Sequence, residues 1–97
     1  MLHIVNKSPA QTTALASCLR LAQPGAALLL TEDAIYAATR AGAAALAGAT
    51  ERLKVYVLQP DVDARGMNGR LIDGVTAVDY GGFVDLVTEH STNQSWL

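Results

Sequence analysis

Few side chains in this 97-residue sequence are able to do covalent or acid–base chemistry. Cys18 is the only thiol. A thiolate attacks persulfide or disulfide sulfur, so a single cysteine is in principle enough to relay sulfur. The setting of Cys18 also argues for packing. Leu15, Cys18, Leu19 and Ala22 fall at i, i+3, i+4 and i+7, the apolar stripe of a helix, and free cysteine is among the most buried residue types. The thiol is not at a helix N-terminus, and no basic residue lies one helical turn away to lower its pKa. Two readings of Cys18 stand side by side: a candidate persulfide carrier, and a structural core residue.

The other ionisable groups form no complete site. His3 and His90 are the only imidazoles and lie in separate elements, whereas a metal centre needs three or four ligands at close range, so no metal site is expected. His90 suits the end of the last helix, where positive charge complements the dipole. Glu32 and Asp33 follow an apolar run and read as an acid/base pair or, more simply, as helix-capping residues. Asp61, Asp63 and Arg65 read as a solvated turn with room for a partner contact. Gly81-Gly82 lacks the spacing of a dinucleotide fingerprint or phosphate loop, no glycine–serine–glycine elbow occurs, and no cofactor is expected. Trp96 is either an exposed tail residue or an anchor in another chain.

The elements that must position these groups alternate. Leu2–Val5 is a short apolar strand with His3 inside it. Ser8, Pro9 and Gln11 have the pattern of a capping box with proline at the first helical position, which predicts a helix from there to about Ala22. Gln23-Pro24-Gly25 ends it. Ala26 to Leu30 is apolar throughout and does not alternate, as suits a strand covered on both faces. It runs directly into Thr31-Glu32-Asp33, a strand end of the kind where open α/β sheets place their sites. A second helix is expected from Asp33 to about Arg40. Ala43–Ala47, between two glycines, reads as a helical turn or a loop. Leu53–Leu58 is rich in β-branched and aromatic residues, a third strand. Residues 61–65 suit one or two helical turns with Gly66 past their end. Val75–Val78 is a fourth strand and Tyr80-Gly81-Gly82 a turn. Phe83, Leu86, Val87 and His90 mark a last helix, before a polar tail closed by Trp96-Leu97. The fold class is α/β, with a small, mostly parallel sheet between helices, in a single domain over residues 1–97.

Composition sets further bounds. The formal charge is −2 without a basic cluster, which disfavours direct nucleic-acid binding. No apolar run approaches the roughly 20 residues of a membrane span. The first seven residues lack the pattern of a secretory signal, so the cytoplasm is the expected compartment. The chain is 51% hydrophobic and 16% charged. That is apolar for so small a domain, and it favours burial against another subunit.

Several stretches together resemble the DsrH/TusB family of sulfur-relay proteins. They are Leu2-His3-Ile4-Val5-Asn6-Lys7-Ser8-Pro9, Leu28 through Ala38, Lys54 through Leu58 followed by Asp61-Val62-Asp63-Ala64-Arg65-Gly66, Val78 through Leu86, and His90-Ser91 through Gln94-Ser95-Trp96. The resemblance implies a DsrE-like fold and a cytoplasmic heterohexamer with DsrE/TusD-like and DsrF/TusC-like subunits. It implies delivery of persulfide sulfur to a DsrC- or TusE-type acceptor, in sulfur oxidation or in 2-thiolation of the tRNA wobble uridine. The main persulfide cysteine is then expected on the DsrE/TusD-like partner, and this chain is an accessory subunit. Ser17-Cys18-Leu19 resembles the DsrH branch more than the TusB branch. The alternative is a non-catalytic α/β interaction module with a structural Cys18.

Overall fold

Leu2–Val5 (β1), Ala27–Leu30 (β2), Lys54–Leu58 (β3), Val75–Val78 (β4) and Asn93–Trp96 (β5) are the strands of a computed structural model that describes residues 1–46 and 48–96. They form one sheet in the order β4-β3-β2-β1-β5, with every neighbouring pair parallel. Ala14–Leu21 (α1), Gln59–Ala64 (α2) and Tyr80–Glu89 (α3) are the α-helices. Three 3-10 segments, Glu32–Ala38, Ala43–Leu46 and Ala49–Glu51, link β2 to β3.

The chain steps β1 to β4 in one direction across the sheet, so right-handed connections put α1, the 3-10 segments and α2 on one face. It then returns past β1 to β5, and the same handedness puts α3 on the opposite face. The packing follows this division. On the first face Val5, Leu28, Leu30, Val55 and Val57 meet Leu15, Cys18, Ile35, Leu46 and Val62. On the second, Leu2, Ala27 and Leu29 meet Leu86, with Phe83 and Val87 partly buried beside them. All four residues of β2 are buried, as its unbroken apolar run requires in the middle of a parallel sheet. Each of its leucines is worth about 1.5–3 kcal/mol of burial.

Several boundaries differ from the sequence expectation. The first helix begins at Ala14, not at Pro9. Gln11 Oε1 does accept the Ser8 N–H at 3.0 Å, but residues 8–12 close into a separate turn, with the Gln11 and Thr12 N–H groups both donating to the Ser8 carbonyl. Thr12 Oγ1 then accepts the Ala14 N–H at 3.2 Å. The hydroxyl side chains before Ala14 offer the backbone a local alternative to helix. The second helix is 3-10 rather than α, and it stops at Ala38 because Thr39 turns extended and bridges to Leu71. Tyr80-Gly81-Gly82 is the first turn of α3, not a separate turn: Asp79 caps it by accepting the Gly82 N–H at 2.8 Å. The polar tail contains a strand, β5, which pairs with β1 from Leu2↔Asn93 to Val5↔Trp96. Ala47 and Leu97 lie outside the described residues.

Candidate functional site

The carboxyl ends of β2 and β3 carry an interlocked set of side chains. Thr31 leaves β2 in extended conformation, and Glu32 follows with φ +49°, the only non-glycine among the described residues with positive φ. An L-residue pays about 1–2 kcal/mol for that conformation. It persists because the Glu32 N–H donates to Asp61 Oδ2 at 2.6 Å. Asp61 stands in the first turn of α2, which begins immediately after β3 and has Pro60 near its start. One turn later, Arg65 Nε donates to Asp33 Oδ1 at 2.9 Å and Arg65 Nη1 to the Asp61 carbonyl at 3.3 Å. Arg65 Nη1 also lies 3.9 Å from Asp61 Oδ1. Of the two groups that the sequence offers as separate candidates, Glu32-Asp33 and Asp61-Asp63-Arg65, the first is joined to Asp61 and Arg65 of the second in one clasp across two strand ends. Asp63 stands apart. Its carboxylate accepts from Asn68 and from Gln59, and these bonds hold its pKa below the usual carboxylate value.

Chemically this clasp is occupied with itself. Both carboxylates that touch Arg65 are charge-paired, and Arg65 has a side-chain exposure of only 22%. That suits holding two loops in register better than moving protons. The Glu32 side chain itself is exposed and makes no bond among the described residues.

Cys18 is fully buried, on the face of α1 turned to the sheet. Burial alone pushes its thiol up to about 11. At neutral pH this disfavours the thiolate, the form that attacks sulfur. This placement agrees with the structural one of the two readings that the apolar stripe left open.

His3 is also buried, at 4% exposure. Its Nδ1 accepts the Trp96 Nε1–H at 3.1 Å, with the ring centroids 6.1 Å apart. The neutral ring therefore carries its proton on Nε2. Burial lowers its pKa below 6.5, and the nearby N-terminal ammonium adds to this. His3 and Trp96 come together through the β1–β5 pairing, a contact between the two ends of the chain that needs the fifth strand to be seen. His90 ends α3, where its N–H donates to the Leu86 carbonyl at 3.3 Å. Among the described residues no three His, Cys, Asp or Glu side chains converge as a metal site would require.

A further charged feature was not singled out in the sequence. Arg40 and Arg70 line one cavity with Tyr36, Thr39, Ala41 and Met67. They are thirty residues apart, and only the Thr39↔Leu71 bridge brings them together.

The family described as "DsrH like protein" matches residues 7–93 of this chain. Protein TusB of Escherichia coli O81 (strain ED1a) is 36% identical over 96 residues, covering 99% of this chain and 100% of that protein. Protein TusB of Shigella flexneri is 35% identical over the same span. Among solved structures, the ychN protein from E. coli superposes with a TM-score of 0.70 at 19% identity, covering 97% of both chains. That last likeness concerns the fold: the same layered α/β architecture is present in both.

Proposed function

The chain belongs to the DsrH/TusB family, and on that premise we propose that it is an accessory subunit of a sulfur-relay complex whose persulfide cysteine is on a partner chain. The observation that carries this reading is the state of Cys18. The one thiol of the chain is buried in the core and its pKa is pushed up to about 11, which supports a relay whose reactive sulfur is on a partner. In the relay step the acceptor's thiolate attacks the outer sulfur of a donor persulfide. A new S–S bond forms, the donor's S–S bond breaks, and the donor leaves as thiolate without net oxidation or reduction. The partners expected are DsrE/TusD-like and DsrF/TusC-like subunits, with a DsrC/TusE-like acceptor.

Of the two settings, the TusB names of the relatives favour 2-thiolation of the tRNA wobble uridine. The Ser17-Cys18-Leu19 context favours sulfur oxidation, and with it a second reading in which Cys18 itself carries persulfide after α1 lifts from the sheet. Co-expression with the two partner types, followed by intact-mass analysis after loading with a persulfide donor, tests both. Co-assembly with added sulfur mass on a partner only supports the first reading. Sulfur on this chain, lost in Cys18→Ser, replaces it with the second. A chain that stays apart from both partners refutes subunit membership. Complementation of an Escherichia coli strain lacking TusB, read by mass spectrometry of tRNA nucleosides, tests the tRNA setting.

A further inference from the structure

The loops 36–42 and 67–72 are stitched together on the α1 side of the sheet. The Ile72 N–H donates to the Ala38 carbonyl at 2.8 Å, and the Arg40 N–H to the Arg70 carbonyl at 3.2 Å. These bonds flank the antiparallel Thr39↔Leu71 bridge. Counting outward from it sets Arg40 directly opposite Arg70. Thr39 is buried and fixed by its own hydroxyl, which donates to the Tyr36 carbonyl at 2.7 Å. Gly42 lets the chain fold back closely on the Tyr36 carbonyl, where a Cβ would stand 2.2 Å from the oxygen. The backbone that presents both arginines is therefore closely constrained.

Arg40 and Arg70 place two like charges opposite each other across this bridge, an arrangement that is mildly unfavourable even at an exposed position. Among the described residues neither Arg40 nor Arg70 has an acidic partner: the ion pairs found there belong to Arg65. Both residues, exposed at the surface, line one cleft of about 370 Å³. That volume falls within the roughly 300–1,000 Å³ of small-molecule sites. Its remaining wall is mixed, with the partly exposed ring of Tyr36 and the side chain of Met67 beside the arginines. Two forked cations suit a tetrahedral oxyanion held bidentately, and an aromatic ring with a thioether suits a flat apolar group.

We propose that this cleft is a binding site for a small organic phosphate of nucleotide size, with Arg40 and Arg70 holding the phosphate and Tyr36 and Met67 the apolar body. The site does not depend on sulfur chemistry and stands whether or not the chain is a relay subunit. The Coulomb repulsion that an anion relieves is also a handle for testing it. Removing one arginine should relax the empty chain while weakening the ligand, a pair of signs that a merely structural arginine does not give.

The experiment titrates the full-length chain, by calorimetry and by amide NMR shifts, with AMP, adenosine and inorganic phosphate. AMP is expected to bind more tightly than phosphate, and adenosine least. Arg40→Ala and Arg70→Ala should each weaken AMP at least tenfold while leaving the Tm of the ligand-free chain unchanged or raised. Arg52→Ala, outside the cleft, should change neither. Tyr36→Ala should weaken AMP toward the affinity of phosphate alone. The proposal is overturned if AMP does not bind at millimolar concentration, if adenosine binds as well as AMP, or if neither arginine variant affects binding. It is also overturned if both arginine variants lower the Tm of the empty chain, because the arginines would then be structural.

Discussion

Replacing Asp61 with alanine unfastens the carboxyl edge of the sheet. Its carboxylate accepts the Glu32 N–H at 2.6 Å and stands 3.9 Å from Arg65 Nη1. A hydrogen bond to an ionised group contributes about 1.5–3 kcal/mol net. Asp61 retains 19% side-chain exposure, and Glu32 is at the surface, so solvent screening puts the bond at the lower end of that range. The loose ion pair adds a few tenths of a kcal/mol. In the other direction, a freed Glu32 can leave its φ of +49° and recover some of the strain. The expected loss is about 1.5 kcal/mol, or roughly 6–12 °C in Tm for a domain of this size. Urea titration read by the fluorescence of Trp96, the only tryptophan, measures it. The midpoint should fall while the slope stays constant. Asp61→Asn keeps an oxygen acceptor and should lose about half as much. Asp85→Ala, an exposed carboxylate on α3 without a partner among the described residues, should leave the midpoint unchanged. An Asp61→Ala chain as stable as the parent would refute the clasp. Equal losses for alanine and asparagine would refute the role given to the acceptor oxygen.

Three other outcomes follow from the same geometry. Native Cys18 should resist thiol reagents at pH 8 and react fully in urea, and Cys18→Ser should cost about 1–3 kcal/mol by burying a hydroxyl; rapid native modification would contradict the burial. His3 should titrate below 6.5 by NMR, and Trp96→Phe, which removes the donor to Nδ1 that favours the neutral ring, should move it back up. Because the folded pKa lies below the unfolded one, the contribution of His3 is complete above about pH 6.5 and is lost as pH falls toward the folded value; a native midpoint above 6.5 would reverse that sign. Gly42→Ala should destabilise by about 2–3 kcal/mol, because the new methyl meets backbone oxygen that has no rotamer to escape into; a neutral effect would show that the 36–42 loop is not constrained as described.

What the sequence disclosed was what depends on short-range pattern. The unbroken run at Ala26–Leu30 announced a doubly covered strand, and the stripe through Leu15, Cys18 and Leu19 announced the apolar face of a helix while leaving the role of the thiol open, because both signals depend only on residue type and local period. Asn93–Trp96 was not legible as a strand. Asn, Gln and Ser there have low β-propensity, and the segment is extended because β1 offers it an edge. The start of α1 was misplaced for the opposite reason: the capping pattern at Ser8 is real, but it caps a turn that Thr12 and Thr13 interrupt. At the site, Glu32-Asp33 was visible at a strand end and Asp61-Asp63-Arg65 only as a solvated turn, and the rule that sites gather at strand ends could have joined them. Arg40 opposite Arg70 could not be seen, since an isolated one-pair bridge has no sequence period.

The topology leaves one face of the sheet incompletely covered. A parallel sheet is favoured only with both faces covered. Four strands wound in one direction place α1, α2 and the 3-10 segments on a single face, and the one reversal, β4 to β5, supplies the other face with α3 alone. Five strands about 4.8 Å apart span roughly 19 Å, while one helix is about 10 Å across. α3 accordingly covers the middle, over Leu29 and Ala27, and leaves Thr76 on β4 and Ser95 on β5 exposed at the two edges. Tyr80 and Val84 point outward from α3 at 61% and 58% exposure. The incomplete cover is therefore a consequence of strand order, not of a shortage of apolar residues. A partner covering that side would add burial where α3 leaves the sheet open, and would leave the clasp at Asp61 and the core around Cys18 undisturbed.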